Sequence, residues 1–161
     1  MVKEIQLTQG KVALVDDADY EWLNKLKWHA IKDKWNWYAN HVDGHTNIRM
    51  HVLILQTPKG MQSDHKDGNG LNNQRNNLRI CTSSENTQNS RVRNQSKYSQ
   101  FKGVSWHKYK NKWVAGIKIN GVRREIGAFH NEIDAALAYD KEAEELFGEF
   151  ARLNFKEVAN V

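Results

Sequence analysis

Residues 66–76, KDGNGLNNQRN, restrict the fold of this 161-residue chain more than any other stretch. They hold one aliphatic side chain, Leu71, beside two glycines and four asparagines, so they have almost nothing to bury. Asn, Asp and Gly favour turns over helix or strand, and the stretch has to be a loop between ordered elements. On one side Asp64 and His65 end a strand. On the other, Asn77-Leu78-Arg79-Ile80-Cys81 returns as a second strand, and Ser83 or Ser84 caps a helix that begins with Glu85-Asn86. A strand–loop–strand–helix unit of this kind brings the end of its first strand close to the start of its helix.

The residues at that meeting point suit phosphodiester hydrolysis. A hard cation such as Mg²⁺ takes oxygen ligands and keeps several waters, so one carboxylate and one carboxamide suffice, and Asp64 and Asn86 supply them. His65 points to the opposite side of the strand from Asp64 and can take the proton of an attacking water. A lone Asp-His pair is usually a surface turn. The order of the elements, not the pair, carries the specificity.

Residues 48 to 90 resemble the HNH nuclease family, in the homing and phage-type variant whose last position is Asn. His65 matches the first H, Asn77 the N and Asn86 the final position; Asp64 matches the metal-binding Asp before the first His. MHVLIL at 50–55 is similar to the family's MHRLI stretch, with Val52 where Arg is frequent. The resemblance implies a ββα-metal fold, a catalytic His65 aimed by a loop that Asn77 ties, and a divalent metal on Asp64 and Asn86, Mg²⁺ with Mn²⁺ as the alternative. His51 reads as a satisfied structural histidine, with a brace of the site or a DNA contact as the alternative, and Cys81 as a small core residue.

Charge divides the rest. Residues 1–48 carry six basic and seven acidic side chains, look β-rich with a short helix near Asp17 to Leu26, and show no site chemistry; their tryptophans at 22, 28, 35 and 37 read as core. NIRMHVLIL fits a strand or a short helix. Residues 87–98 have three basic side chains and no acid, and a basic linker is expected at 91–98. Residues 99–130 hold seven basic side chains against one acid, in short β-type segments broken at Asn120-Gly121, a two-residue hairpin signal. Residues 131–161 hold three against eight, with helical spacing of Ile133, Ala136, Leu137, Tyr139, Ala143, Leu146 and Phe147 between an Asn131 cap and Gly148. This predicts a three-stranded sheet on one helix, positive on the sheet and negative on the helix.

Those residues resemble the AP2 DNA-binding domain, through Lys102-Gly103-Val104, Lys112-Trp113-Val114-Ala115, Ile126-Gly127-Ala128-Phe129, the Ala135–Asp140 run and Leu153-Asn154-Phe155. In that family the sheet enters the major groove, which makes Lys102, Ser105, His107, Lys118 and Arg123 the DNA-contact candidates and leaves Trp113 and Phe129 to the core. Ser105, Gly116 and Glu125 stand where the plant pattern has Arg, Glu and Trp, so no target sequence carries over.

The chain is therefore expected to be α+β: a β-rich region at 1–48, a ββα-metal nuclease unit at 49–90, and an AP2-like domain at 99–161. A net charge of +5 suits an anionic partner, and a single cysteine excludes an internal disulfide and a four-thiol zinc site. The N-terminus lacks a signal-peptide pattern and no apolar run reaches a membrane span, which points to an intracellular protein with no membrane partner. The expected function is a site-specific endonuclease of double-stranded DNA that needs no small-molecule cofactor. The alternative is a DNA-binding regulator with a vestigial nuclease fold. An RNA-binding module is disfavoured, because the sheet lacks exposed aromatic pairs for stacking bases.

Overall fold

The computed structural model describes residues 1–90 and 99–155, and the chain forms two compact units, Met1–Asn86 and Thr87–Val161. The linker expected at 91–98 lies outside the described residues. Among the described residues no helix is long and apolar enough to cross a membrane.

The first unit opens with an antiparallel pair, β1 (Val2–Gln6) and β2 (Val12–Asp16), followed by helix α1 (Asp17–Leu23). A three-stranded antiparallel sheet follows, β3 (Trp28–Asp33), β4 (Asn36–Asp43) and β5 (Thr46–Arg49), with β4 in the centre. NIRMHVLIL splits between both expected states: β5 ends at Arg49 and α2 (Met50–Leu55) begins at once, burying Met50, His51 and Ile54. Next come β6 (Gln62–His65) and β7 (Leu78–Cys81), paired antiparallel around the polar loop, and helix α3 (Ser83–Gln88). One core serves all of this, drawing Ile5, Val15, Leu23 and Trp28 from the first 48 residues and Met50, Ile54 and Leu78 from the middle segment.

Two expectations are corrected. The cap of α3 is Thr82, not Ser83 or Ser84: its hydroxyl accepts from the Glu85 N–H at 3.3 Å, and the Glu85 carboxylate accepts from the Thr82 N–H at 2.7 Å. This reciprocal capping box draws the helix start two residues upstream, from Glu85 to Ser83. Of the four tryptophans assigned to the core, Trp28 is buried and Trp37 packs against it, but Trp22 and Trp35 are exposed. Trp35 follows Lys34, whose φ of 55° makes the tight β3–β4 turn, and its ring is 80% exposed.

The second unit is an antiparallel sheet of β8 (Val104–His107), β9 (Lys112–Ile119) and β10 (Val122–Phe129), with β9 central, packed on α4 (Glu132–Phe147). Asn120 and Gly121 both adopt positive φ, 50° and 84°, as the hairpin requires. Asn131 caps α4 by accepting from the Ile133 N–H at 2.8 Å. Gly103, at φ 78°, has no room for a side chain, since a Cβ would lie 2.0 Å from the Tyr139 ring. The Asp140 carboxylate on α4 accepts from the N–H groups of Asn154 and Phe155 and from the Asn154 amide, all at 2.8 to 2.9 Å. Asn154 in turn brackets Lys102, accepting from its N–H at 2.6 Å and donating to its carbonyl at 3.1 Å.

One buried carboxylate therefore ties both ends of this unit to its helix. Asp140→Ala strands three donors in the interior and should cost about 2–3 kcal/mol. Hydrogen exchange read by mass spectrometry should show protection lost in residues 99–155 and kept in residues 1–86. Undiminished protection at Lys102 and Asn154 would show that Asp140 is not the tie.

Candidate functional site

The polar loop between β6 and β7 is held from outside by the first 48 residues. Leu14 on β2 donates its N–H to the Leu71 carbonyl at 2.8 Å and accepts from the Asn73 N–H at 2.7 Å. Arg75 forks onto the Asp19 carboxylate with two bonds of 2.7 Å, and its N–H donates to Asp16 at 2.8 Å. Asn36 on β4 donates to the Gly68 carbonyl at 2.9 Å and accepts from the Gly70 N–H at 3.3 Å. Inside the loop, Asn77 donates to the Asn72 carbonyl at 2.8 Å and to Asp67 at 3.1 Å, and accepts from the Asp67 N–H at 3.1 Å. Burial pushes the Asp67 carboxyl up, but hydrogen bonds from Asn69, Asn72 and Asn77 outweigh it and hold the group below its usual range.

This places Asn73 against His65. Asn73 is fully buried, and its amide nitrogen donates to the Leu71 carbonyl at 3.1 Å, which turns its oxygen toward His65. His65 Nε2 meets that oxygen at 3.3 Å, so Nε2 carries the proton and Nδ1 the lone pair. Burial is the largest influence on the imidazole and lowers its pKa; the Asn73 bond and the charges of Asp67 and Asp64 raise it without cancelling the burial. The ring is neutral at neutral pH, as a proton acceptor must be.

Three more groups surround it, of which the sequence singled out His51 alone, as a structural histidine before a brace of the site. Tyr38 lies with its ring 6.0 Å from His65 and 5.8 Å from His51, and the Arg49 guanidinium sits 4.3 Å from its centroid. The His51 ring stands edge-on to His65 at 4.6 Å. His51 is not the satisfied histidine expected: it is buried, yet Nδ1 has no hydrogen-bond partner. Burial first, then the neighbouring His65 and Arg49, lower its pKa to about 3. Its MHVLIL setting fitted a strand or a short helix, and only the packing of α2 sets the ring against His65.

Asp64 is buried on the other side of β6. Arg79, opposite it in the β6–β7 register, donates to one carboxylate oxygen through Nε at 3.1 Å and Nη2 at 2.8 Å. Asn86 donates its amide to Gln62 Oε1 at 2.7 Å, and Gln62 shares a strand face with Asp64, two residues away. With the Asn86 nitrogen committed, its carbonyl oxygen is the atom left to ligate. Among the described residues no group of three or more His, Cys, Asp and Glu side chains forms a metal cage. The Asp64 carboxylate and the Asn86 carbonyl oxygen would together offer oxygen donors alone, a set that suits a hard cation that keeps its own waters better than a zinc-type cage. Cys81 is buried, and burial pushes its thiol up to about 11.

In the second unit, the face of the sheet turned away from α4 carries Ser105, Lys118 and Arg123, with His107 at the end of β8. Arg123 reaches across the central strand and donates to the Ser105 hydroxyl at 3.2 Å. It passes over Gly116, where a Cβ would come within 2.9 Å of its Nε. Lys118 is exposed and pairs with Arg123 in register. His107 Nδ1 accepts from the Lys110 N–H at 3.2 Å, and Lys110 pairs with Glu125 at 2.7 Å. Lys102 is set apart from these: it precedes β8, donates its ammonium to the Gln88 carbonyl, and burial lowers its pKa to about 8. Arg124 faces the helix and pairs with Glu142.

If Asn73 fixes the tautomer, ¹⁵N NMR should show His65 with the proton on Nε2 in the wild type and a mixture of tautomers in Asn73→Ala. A single unchanged tautomer in the variant would assign that role elsewhere.

Residues 56–88, which span Asp64, His65, Asn73, Asn77 and Asn86, match a family model described as HNH endonuclease. Over 91% of its length the chain is 32% identical to an uncharacterised HNH endonuclease of Acanthamoeba polyphaga mimivirus, of which it covers 76%. It is 33% identical over 65% of its length to Protein 3.8 of Escherichia phage T7, covering 88% of that protein. A shorter match, 62 residues at 40% identity, relates 37% of the chain to 18% of dehydration-responsive element-binding protein 2C of Arabidopsis thaliana. No solved structure matches the chain. The match to the nuclease segment and the near full-length viral relative agree with the geometry around His65, and the chain belongs to the HNH endonuclease family.

Proposed function

We propose that the protein is a site-specific endonuclease that hydrolyses phosphodiester bonds of double-stranded DNA, with His65 as general base and one divalent cation, Mg²⁺ or Mn²⁺, held by Asp64 and Asn86. The observation that carries this is the hydrogen bond from His65 Nε2 to Asn73, which leaves the lone pair on Nδ1 of a neutral ring. Nδ1 takes the proton of the attacking water, and the Asn73 oxygen stays on Nε2–H to stabilise the imidazolium that forms. Asn77 and Asp67 keep the loop behind Asn73 from moving, while Arg79 fixes the orientation of Asp64. When bound, the cation polarises the phosphate and neutralises the departing oxygen.

The second unit adds affinity and register through its open sheet face, with Ser105, His107, Lys118 and Arg123 as contacts. The name of the plant relative, an element-binding protein, is in keeping with a binding role for this chain as well. Lys102, committed to Gln88, is left out of the contact set.

Plasmid cleavage tests the chemistry. His65→Ala should lose about 10²–10⁴-fold in rate while keeping the cation, whereas Asp64→Ala and Asn86→Ala should lose cutting and weaken cation binding together. Cutting by the wild type in excess EDTA would remove the metal from the mechanism; duplex binding without any cutting would favour a regulator with a vestigial site.

The sheet face has its own test. Arg123, a planar fork, is suited to a guanine edge, and Lys118 to phosphate. Selection of bound sites from a random duplex pool should return a relaxed motif for Arg123→Ala, and an unchanged motif bound more weakly for Lys118→Ala. Identical motifs for wild type and Arg123→Ala would take base readout away from Arg123.

A further inference from the structure

In the first unit a cleft of about 440 Å³ opens between α2, the turn after it and α3. Arg49 and Lys59 line it, and no acidic side chain does. Five buried side-chain polar atoms among the described residues have no hydrogen-bond partner, and three of them belong to residues of this one cleft: His51 Nδ1, Thr57 Oγ1 and Ser63 Oγ. Buried polar groups are nearly always satisfied, so three orphans in one place mark a ligand that the polypeptide itself does not supply.

We propose that this cleft binds a phosphate of the DNA backbone, its oxygens accepting from the hydroxyls of Thr57 and Ser63 and from the His51 imidazole, with Arg49 and Lys59 supplying the positive charge. The proposal rests on the endonuclease reading, because it takes DNA as the source of the phosphate. The chemistry favours an anion on each count. Hydroxyls and a neutral imidazole each offer a donor, and a neutral ring is what burial enforces at His51. Arg49 already shares its charge with Asp33 at 2.7 Å, which leaves Lys59 as the principal cation. The His51 ring is also in contact with His65, so a phosphate held here lies beside the base.

The test is fluorescence anisotropy of the full chain with duplex DNA in EDTA, where nothing is cut. Thr57→Val with Ser63→Ala removes two donors to a charged oxygen and should weaken binding about tenfold. Thermal stability should be kept or raised, because the hydroxyls satisfy nothing in the protein alone, and the salt slope should not change, because both groups are neutral. Lys59→Gln should instead lower the salt slope by about one. Inorganic phosphate, titrated by NMR, should shift the His51 ring signals in the wild type and not in the double variant. Unchanged duplex affinity in the double variant overturns the proposal, whether water alone fills the cleft or free phosphate enters without DNA following. Failure of the endonuclease reading looks different: the wild type would not cut with Mg²⁺ or Mn²⁺, while these binding differences would remain.

Discussion

The hydrogen bonds between Leu14 and the loop residues Leu71 and Asn73 are the restraint on which the site depends. A loop as polar as KDGNGLNNQRN has no hydrophobic reason to hold one conformation, and ordering it costs backbone entropy at every residue. The first unit meets that cost with bonds from outside the loop: from β2, from Asp16 and Asp19 at the start of α1, and from Asn36 on β4. Only a fixed loop can present the Asn73 oxygen to His65. The N-terminal residues hold no metal or proton-transfer group of the proposed site, yet they determine which nitrogen of His65 carries the proton.

Burial acts differently on neighbouring ionisable groups, and the difference follows from hydrogen bonding. His65 is buried and Asp67 half-buried. Asp67 is compensated by three donors and stays ionised, whereas His65 is compensated in part and His51 hardly at all, so both rings stay neutral. A carboxylate near two neutral imidazoles is a useful polarity for proton abstraction, since the charge that would form on His65 has a nearby counter-charge. Asp64 meets the same problem with a buried guanidinium: Arg79 and Asp64 are both desolvated, and each makes the other tolerable.

The second unit solves a smaller problem with similar means. Its sheet and helix α4 bury Ala115, Ala135, Ala136 and Ala143 beside Val104, Ile117 and Tyr139, with larger rings such as Phe101, Trp113 and Phe147 only partly covered. Asp140 supplies further connections, drawing Asn154, Phe155 and through them Lys102 onto α4. Glycine at 116 has the opposite effect, emptying a place on the open face that the Arg123 side chain crosses on its way to Ser105.

What the sequence determined by itself was local. The strand–loop–strand–helix order, the Asn120-Gly121 turn, the Asn131 cap and the α4 period depend on neighbours a few positions apart, so they were legible without a fold. Asp64, His65, Asn77 and Asn86 stood out because their spacing sits within one such unit. The Thr82–Glu85 capping box is equally local, but Ser83 and Ser84 after it are cap formers too, so the sequence alone left three candidates for one position. Tertiary structure alone decided the rest. Asn73 reaches His65 because Leu14, far upstream, holds its backbone. His51 abuts His65 because α2 packs on the unit's core, and Trp35 is exposed because its turn leaves that core behind. Lys102 and Arg123 looked alike as basic residues in a basic sheet; packing turned one toward the Gln88 carbonyl and left the other on the open face. Composition fixes how many polar and charged groups a chain must accommodate, but which of them are desolvated, and against what, is settled only when distant segments come together.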